Sequence, residues 1–423
     1  MISALYTIFQ QHPVVCTDSR NITPDCIFFA LKGDNFNGNI YAKDALQKGA
    51  AYAIVDEEAY NTSEHTILVK DVLETLQQLA NHHRKQLNIP IVSLTGSNGK
   101  TTTKELINVV LSKKFNTTAT KGNLNNHIGV PLTLLSMDST TEIGIVEMGA
   151  NHREEITFLS SIAEPDYGYI TNFGKAHLEG FGGIEGVILG KSELYDYLKV
   201  NNKFIFVNGD DPKQVERTHN ATKYTFGSSE DNDVAIRFLS ANPMVRATLN
   251  DVEIQSQLIG AYNFSNIAAA IAIGSYFGIP LNDIKDAVES YTPSNNRSQI
   301  INKDTNSIIL DAYNANPTSM KAALDNFSNL TSTNKIAFLG DMFELGESAA
   351  KEHQFITDYV SSLNIDKVFL IGENFGKTSS TDNKIIIYPT FEELKANFPA
   401  LKNSNLLIKG SRGMALERIL ELL

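Results

Sequence analysis

The fold is decided by the stretch Ile91-Val92-Ser93-Leu94-Thr95-Gly96-Ser97-Asn98-Gly99-Lys100-Thr101-Thr102-Thr103. Its first five residues form an apolar run typical of a buried strand, and apolar residues at helical spacing follow from Leu106 to Leu111. A glycine loop between a strand and a helix brings free backbone N–H groups and a helix N-terminus to one point, which is a phosphate-binding geometry. The stretch therefore predicts a site for the phosphates of a nucleotide.

The residue types of this loop suit that role. Gly96 and Gly99 allow the backbone to close around anionic oxygens, because no Cβ stands in the way. Lys100 would reach the outer phosphates, and the Thr101 hydroxyl would hold Mg²⁺. Leu94 occupies the position of the first glycine in the general pattern G-x-x-x-x-G-K-[ST], and a tight turn with a surface lysine is the alternative. The flanking strand and helix favour a nucleoside triphosphate site.

Composition excludes several classes of protein. The 423 residues carry a net charge of −12, which argues against non-specific binding to nucleic acid or to an anionic membrane. The N-terminus lacks the features of a signal peptide, and no run reaches the roughly 18 apolar residues of a spanning helix. Cys16 and Cys26 have no metal-ligand partners at suitable spacing, so we expect reduced core thiols. We therefore expect a cytoplasmic monomer without membrane insertion or a nucleic-acid partner.

The pattern of strands and helices divides the chain into three α/β domains. Residues 1–88 precede the phosphate loop and form a small module, with a predicted helix over 41–50. Residues 89–294 alternate strands and helices, which predicts a mostly parallel sheet of the P-loop ATPase type. Residues 295–423 form a further, Rossmann-like α/β unit. Its predicted strands are 308–310, 336–339, 368–371 and 406–408.

Polar residues follow two of the central strands. Glu147 ends the run from Ile143, and His177 lies just beyond the strand that ends at Thr171. Ligands of open α/β sheets sit outside the carboxyl ends of the strands, so Lys100, Glu147 and His177 are expected to converge on one site. A carboxylate there suits Mg²⁺, although a strand-end carboxylate facing solvent is the alternative. Taken alone, a histidine such as His177 is more often a loop residue, and Lys191 fits a solvated lysine at a helix start.

Taken together, five further motifs resemble the Mur ligases, the ATP-dependent amino-acid-adding enzymes of peptidoglycan synthesis. The resemblance covers the whole chain, and the phosphate loop looks like that family's shortened version. The motifs are Gly122-Asn123-Leu124-Asn125-Asn126-His127-Ile128-Gly129-Val130-Pro131-Leu132-Thr133, Glu147-Met148-Gly149-Ala150-Asn151-His152, Asp311-Ala312-Tyr313-Asn314-Ala315-Asn316-Pro317, Leu339-Gly340-Asp341-Met342-Phe343-Glu344-Leu345-Gly346 and Lys409-Gly410-Ser411-Arg412-Gly413.

The resemblance implies a set of catalytic and metal-binding residues. One Mg²⁺ would be held by Thr101 and Glu147, and a second by His177 and Lys191. The family commonly carbamylates the lysine at this last position, which turns a cation into a carboxylate able to ligate a metal. Together with Lys100, these residues are the predicted catalytic machinery.

The resemblance also implies the binding sites for ATP and for a UDP-linked substrate. The predicted ATP-binding residues are Gly96, Ser97, Asn98, Gly99, Lys100, Thr101, Thr102, Asn263, Asn266, Arg297 and Asp311. Asn263 and Asn266 fit a family His-Asn-x-x-Asn motif in which Tyr262 replaces the histidine. The predicted substrate-binding residues lie in the first domain and are Ser19, Arg20, Asn37 and Gly38.

Within the family, the likeness is greatest to the member that adds D-alanyl-D-alanine to UDP-N-acetylmuramoyl-tripeptide. The resemblance therefore implies these two substrates and an acyl-phosphate intermediate. The Asp-Asn-Pro-Arg motif of the diaminopimelate-adding member is absent. A regulatory GTPase, a folate polyglutamylating ligase and a non-catalytic binding protein are the alternatives. The Asp-x-x-Gly and Asn-Lys-x-Asp motifs of a regulatory GTPase are absent from this sequence. The module formed by residues 1–88 suits a UDP-sugar better than a folate, which argues against the folate ligase.

Overall fold

The computed structural model describes residues 1–293 and 296–423. It confirms an α/β architecture, built on three main sheets that follow one another along the chain. Each predicted domain range contains one of these sheets. The domain boundaries themselves stay predictions, and the boundary at 294/295 lies outside the described residues.

The N-terminal sheet is parallel and has the strand order β1-β2-β5-β6. Along β2, Ile27 and Phe29 point to one face and Phe28 to the other, so both faces are covered by apolar packing. The strands and the β3–β4 hairpin are Val15–Cys16 (β1), Ile27–Phe29 (β2), Lys32–Gly33 (β3), Phe36–Asn37 (β4), Tyr52–Val55 (β5) and Thr66–Leu68 (β6). The helices are Ile2–Gln11 (α1), Ala42–Gln47 (α2) and Val72–Leu87 (α3).

Two predictions about this region can be compared with the structure. The helix predicted over 41–50 is shorter, because a 3-10 turn over Gly38–Tyr41 precedes it and Gly49, with φ of +105°, cannot continue a right-handed helix. Cys16 and Cys26 are buried free thiols within the described residues, as predicted.

The central sheet has the strand order β15-β14-β13-β12-β11-β10-β7-β9-β8. It is parallel from β13 to β8, and an antiparallel meander of β13, β14 and β15 extends one edge. The strands are Ile91–Thr95 (β7), Thr117–Ala119 (β8), Ile143–Glu147 (β9), Tyr167–Ile170 (β10), Phe204–Asn208 (β11), Lys223–Gly227 (β12), Val234–Ala241 (β13), Met244–Leu249 (β14) and Val252–Ile259 (β15). The helices are Lys100–Leu111 (α4), Gly129–Leu135 (α5), Glu155–Ala163 (α6), Leu178–Phe181 (α7), Ile184–Val200 (α8), Pro212–Arg217 (α9), Phe264–Tyr276 (α10) and Leu281–Ser290 (α11).

The strand β7 lies in the interior of this sheet, between β10 and β9. The next strand in sequence, β8, lies beyond β9, while β10 and β11 lie on the other side of β7. The order therefore reverses around β7, and a crevice for ligands opens at the carboxyl ends of such neighbouring strands. The phosphate loop follows β7 directly, so the topology places it at this crevice.

The C-terminal sheet has the strand order β16-β17-β21-β18-β19-β20, and only β16 is antiparallel to its neighbour within the described sheet. The four predicted strands are present, and two edge strands, β16 and β20, were not predicted. The strands are Gln299–Lys303 (β16), Asn306–Asp311 (β17), Lys335–Gly340 (β18), Lys367–Ile371 (β19), Ile385–Tyr388 (β20) and Asn405–Lys409 (β21). The helices are Pro317–Ser328 (α12), Ala349–Ser361 (α13) and Phe391–Ala396 (α14).

Short 3-10 helices complete the secondary structure of the described chain. Besides the turn at Gly38–Tyr41, they are Glu58–Tyr60, Ala261–Asn263, Gly346–Ser348, Phe375–Lys377, Arg412–Met414 and Leu416–Glu421. Over the same residues, none of the helices has the length and apolar character that a bilayer-crossing helix requires.

A cluster around Asp166 joins the last N-terminal helix to the central sheet. The Asp166 carboxylate accepts from the Arg84 guanidinium at 2.7 Å, from the Lys203 ammonium at 2.6 Å and from the Ile91 backbone N–H at 3.1 Å. Arg84 is buried, and it also donates to the Ala163 carbonyl at 3.1 Å. One carboxylate thus fixes α3 against the strand that leads into the phosphate loop.

We expect Asp166→Ala to destabilise the protein by about 2 kcal/mol, because it leaves the buried Arg84 guanidinium without its anionic partner. Differential scanning calorimetry should show a lower midpoint for the transition that contains the central domain. Glu216→Ala on exposed surface is the matched control, expected within about 0.5 kcal/mol of wild type. Equal midpoints for the two variants would contradict this role of Asp166.

Candidate active site

The phosphate loop can adopt its path only with glycine at two positions. Gly96 has φ of +142°, and a Cβ built there would lie 2.0 Å from the Thr171 hydroxyl. Gly99 has φ of +80°, and its Cβ would lie 2.5 Å from the Asn266 side-chain oxygen. Both conformations are costly for other residues, and both contacts exclude a side chain. The loop therefore packs closely between the end of β10 and the start of α10.

Hydrogen bonds from the segment after β10 hold the loop in place. The Asn172 backbone carbonyl accepts from the Ser97 N–H at 3.0 Å, and the Asn172 side chain accepts from the Asn98 N–H at 3.1 Å. The Ser97 hydroxyl donates to the Gly174 carbonyl at 2.8 Å. The helix α4 begins at Lys100, so its first-turn N–H groups have no acceptor within the helix. A fixed loop thus presents a helix N-terminus to an anion.

A cavity of about 460 Å³ lies against this loop, between the central and C-terminal sheets. Twelve of the predicted site residues line it. They are Ser97, Asn98, Gly99, Lys100, Thr101, Thr102, Glu147, His177, Asn263, Asn266, Arg297 and Asp311. The volume falls in the range of small-molecule sites. The structure therefore brings together residues that are up to about 200 positions apart in sequence.

Charged groups of both signs line this cavity, and two of its cations, Lys100 and Arg297, affect each other. The Lys100 ammonium donates to the Gly96 carbonyl at 2.7 Å, a bond that stays within its own loop. Burial lowers the pKa of Lys100, the Glu147 carboxylate opposes the shift, and the Arg297 guanidinium lowers the pKa further. Arg297 stacks on the Tyr313 ring at 3.7 Å. Two positive groups that destabilise each other favour the binding of an anionic ligand between them.

Glu147 and Thr101 fit a Mg²⁺ site. Glu147 is 1% exposed at the end of β9, and its Oε1 accepts from Asn125 at 2.8 Å and from the Thr101 hydroxyl at 3.3 Å. Its Oε2 is buried and has no hydrogen-bond partner among the described residues. A buried anionic oxygen without a donor is costly unless a cation faces it. A hydroxyl beside a carboxylate is the donor set that Mg²⁺ prefers.

Protein groups alone would not complete a metal site here. Residues 1–293 and 296–423 contain no cluster of three or more histidine, cysteine, aspartate or glutamate side chains that could hold a metal. Mg²⁺ usually binds one or two carboxylates together with substrate phosphates and water. The arrangement therefore suits a metal that arrives with a nucleotide.

His177 and Lys191, the other two predicted metal ligands, lie in different surroundings. His177 lines the cavity, and its Nδ1 faces the Glu344 carboxylate at 2.5 Å. This imidazole holds the pKa of Glu344 below its ordinary range. Lys191 is fully buried on α8, where its ammonium donates to the Ala150 carbonyl at 2.8 Å. Burial lowers the pKa of Lys191 far below its ordinary value, and Lys100 lowers it further.

The C-terminal sheet closes the cavity through contacts that the sequence did not reveal. Asn316 donates from its side chain to the Asn98 side-chain oxygen of the phosphate loop at 2.7 Å. The Asp311 carboxylate accepts from the Lys409 ammonium at 2.6 Å and from the Ser298 N–H at 3.2 Å. Tyr262, which replaces the family histidine, shares a hydrogen bond with the Ser298 hydroxyl at 2.9 Å. Asn316 belongs to the sequence motif that begins at Asp311, so that motif indicated it. No local sequence pattern indicated Ser298.

Asn263 and Asn266 form a buried ladder behind the loop. Asn266 donates to Asn263 at 2.8 Å and accepts from the Thr103 hydroxyl at 3.0 Å, while Asn263 donates to the Ile259 carbonyl at 2.8 Å. These bonds tie α10 to α4 at the point where Gly99 passes. The pair therefore positions the loop in addition to lining the cavity.

The predicted substrate residues of the N-terminal domain lie apart from this cavity. Arg20 is exposed and bonds Asp18 through two nitrogens, which lowers the pKa of Asp18 to about 2. The Asn37 side chain donates to Glu57 at 3.0 Å, and a Cβ on Gly38 would lie 2.3 Å from the Leu31 carbonyl. The Ser19 carbonyl accepts from Lys48 at 3.0 Å. The geometry shows an ordered polar edge, and its role in substrate binding stays a prediction.

Comparison with known proteins defines the class. Three domain profiles match: "Mur ligase family, catalytic domain" over residues 13–84, "Mur ligase middle domain" over 94–274 and "Mur ligase, glutamate ligase domain" over 296–411. The chain belongs to the Mur ligase family. It is 36% identical over 428 residues to the UDP-N-acetylmuramoyl-tripeptide–D-alanyl-D-alanine ligase of Bacillus subtilis (strain 168), covering 96% of this chain and 92% of that protein.

Solved structures agree in fold over nearly the whole chain. A crystal structure of MurF from Acinetobacter baumannii superposes with a TM-score of 0.85 at 29% identity, covering 96% of this chain and 92% of that one. MurF ligase from Thermotoga maritima, solved in complex with ADP, superposes with a TM-score of 0.84 at 27% identity, covering 97% and 96%. These matches confirm the three-domain α/β fold that the sequence predicted.

We expect Gly99→Ala to weaken ADP binding at least tenfold, because the added Cβ meets Asn266 in addition to the cost of the positive φ. Isothermal titration calorimetry with ADP measures this. Gly182→Ala is the matched control, since Gly182 has φ of +70° and nothing within 4 Å of its Cβ position. Its stability should fall by about 1 kcal/mol with ADP affinity unchanged. If both variants bind ADP like wild type, the loop does not hold the nucleotide as described.

Proposed function

We propose that this chain is an ATP-dependent ligase that joins D-alanyl-D-alanine to UDP-N-acetylmuramoyl-tripeptide in peptidoglycan precursor synthesis. One observation carries the proposal. The phosphate loop, the orphaned Glu147 oxygen, His177 and the C-terminal residues Arg297 and Asp311 all line a single cavity. The named relatives act on these substrates, and the chain covers more than nine-tenths of the Bacillus protein. We place the enzyme in the cytoplasm as a monomer.

The chemistry begins with activation of a carboxylate, which is a poor electrophile. A carboxylate oxygen of the tripeptide attacks the γ-phosphorus of ATP, the bond to the bridging oxygen breaks, and ADP leaves. The acceptor amine then attacks the acyl carbon, and the tetrahedral intermediate expels inorganic phosphate. The amine loses one proton, so the products are an amide, ADP and phosphate.

The first step brings two anions together, so positive charge must already be in place. When the nucleotide binds, the Lys100 ammonium gives up its hydrogen bond to the Gly96 carbonyl and bonds phosphate oxygens instead. The first-turn N–H groups of α4 point at the same position. Arg297, fixed on the Tyr313 ring, faces the loop from the C-terminal side. Mg²⁺ would supply further charge neutralisation, with one ion held by Thr101 and Glu147 and a second by His177 and carbamylated Lys191.

Exclusion of water is the contribution of the C-terminal domain. An acyl phosphate is hydrolysed readily, so the site must be closed while it exists. The Asn316–Asn98 bond and the Lys175–Glu352 ion pair, at 2.7 and 2.6 Å, hold the C-terminal domain against the loop side of the cavity. Closure of this kind also delivers Arg297 and Asp311 to the nucleotide.

Carbamylation of Lys191 belongs to the same proposal. Its lowered pKa favours the neutral amine, whose nitrogen lone pair can attack CO₂ with release of one proton. The Ala150 carbonyl that Lys191 now bonds lies in the cavity wall, so a carbamate formed there lies next to the cavity. The product is a carboxylate, which an ammonium ion cannot replace as a metal ligand.

For Lys100→Ala we expect a fall of about 100-fold or more in ATP-dependent phosphate release, because one preorganised cation of the transition state is lost. The assay pairs UDP-muramoyl-peptides of defined length with single amino acids and dipeptides. Lys113→Ala, an exposed lysine beyond the end of the same helix, is the control and should retain full turnover. Normal turnover in Lys100→Ala would refute the phosphate-loop assignment.

A second variant tests the carbamate. Lys191→Ala should lose most activity and regain part of it when short carboxylates such as formate or acetate are added, because they replace the missing oxygen ligand. Lys199→Ala on the same helix is the control, expected to be active and indifferent to the added anions. Wild-type activity in Lys191→Ala would exclude the carbamate.

A further inference from the structure

The segment that carries His177 is held by the C-terminal domain at three points. The Lys175 backbone N–H donates to the Thr318 hydroxyl at 3.0 Å, and the Lys175 ammonium pairs with Glu352 at 2.6 Å. His177 Nδ1 lies 2.5 Å from Glu344 Oε2, an ion-pair distance at which the ring nitrogen and the carboxylate are not aligned as a hydrogen bond. Two of these contacts hold the backbone and a lysine, and the third reaches an imidazole that lines the cavity. This third contact differs in kind from the other two.

The backbone on both sides is specialised for that contact. His177 has φ of +52° and Glu344 has φ of +59°, so two non-glycine residues occupy the left-handed region where they meet. Such a conformation is unfavourable for a residue with a Cβ, and it persists only where the surroundings enforce it. The Glu344 carbonyl also accepts from the Glu179 N–H at 3.4 Å. The two residues that form the contact are therefore both held in the left-handed region by their surroundings.

Adhesion between the domains does not explain this pair. The Glu344 side chain is 53% exposed, and exposed ion pairs contribute little to stability. Glu352, in contrast, is 6% exposed and forms the better-shielded bridge to the same segment. The His177–Glu344 pair therefore adds little to the closure of the two domains, and its main effect is on the imidazole itself.

An imidazole can place its single proton on either nitrogen. A carboxylate at Nδ1 favours the tautomer with the proton on that nitrogen, which leaves the Nε2 lone pair free to act as a metal ligand or hydrogen-bond acceptor. We propose that Glu344 is a positioning residue that fixes the orientation and tautomer of His177. The imidazole then has its metal-binding tautomer only when the C-terminal domain packs against the central domain. The inference rests on the proposed role of His177 in holding Mg²⁺.

The first measurement needs no metal and no turnover. Long-range ¹H–¹⁵N spectra of the protein labelled in its histidine rings report which nitrogen carries the proton. In wild type we expect His177 to be protonated at Nδ1. Glu344→Ala should lose this preference, whereas Glu344→Gln should largely keep it, because an amide oxygen beside Nδ1 also favours a proton on that nitrogen. Glu347→Ala, an exposed glutamate three residues away, should match wild type.

The second measurement is Mn²⁺ affinity in the presence of ADP, followed by electron paramagnetic resonance, with Mn²⁺ as the probe. His177→Ala defines the part of the affinity that depends on the imidazole. We expect Glu344→Ala to weaken that part 10- to 100-fold, as removal of the outer partner of a ligating histidine does. Glu344→Gln should lie between Glu344→Ala and wild type, and Glu347→Ala should equal wild type.

The outcomes separate this inference from the proposed function. If His177→Ala weakens Mn²⁺ binding while Glu344→Ala changes neither the tautomer nor the affinity, the positioning role is refuted and the metal role of His177 stands. If His177→Ala leaves Mn²⁺ affinity unchanged, the metal role fails and this inference fails with it. Thermal unfolding of each variant confirms that the comparison is made on folded protein.

Discussion

The structure depends on the close approach of the phosphate-loop backbone to Thr171 and Asn266 at the end of β7. The chain must turn from a buried strand into α4 with no side chain between the loop, the end of β10 and the start of α10. Only glycine at positions 96 and 99 permits this, because both φ values are positive and both Cβ positions are filled by neighbouring atoms. The same turn exposes the first-turn N–H groups of α4. The glycine positions that the close packing requires therefore also create the anion-binding site.

The rest of the active site is arranged around this fixed point. The interior position of β7 brings Glu147 from β9 to one side of the loop and the segment after β10, with His177, to the other. The central domain alone therefore holds the phosphate site, while Arg297, Asp311 and Asn316 come from the C-terminal sheet. Because the charged groups come from two domains, they are all in place only when the enzyme is closed. This arrangement suits a reaction with a water-sensitive intermediate.

The sequence predicted those parts of the fold and site that depend on local pattern. The strand, glycine loop and helix at residues 91–111 are visible in periodicity, and Glu147 follows a buried strand, so both could be placed without a structure. The meander of β13–β15 was not predicted, although β15 alternates buried and exposed residues and Asn242-Pro243 and Asn250-Asp251 mark the turns. The Tyr262–Ser298 bond, the Glu344–His177 pair and the burial of Lys191 depend on packing between distant segments, and no local spacing encodes them. Motif resemblance supplied His177 and Lys191 as candidates, whose roles stay predictions, whereas Ser298 and Glu344 were not among the candidate residues.

The central claim is that one cavity joins a triphosphate to a carboxylate, and isotope transfer tests it most directly. The tripeptide substrate is labelled with ¹⁸O in its terminal carboxylate, turned over with unlabelled ATP and D-alanyl-D-alanine, and the released phosphate is analysed by mass spectrometry or ³¹P NMR. An acyl phosphate requires that the bridging carboxylate oxygen leave with the phosphorus, so each phosphate should carry one ¹⁸O from fully labelled substrate. Release of unlabelled phosphate during amide formation would contradict the account.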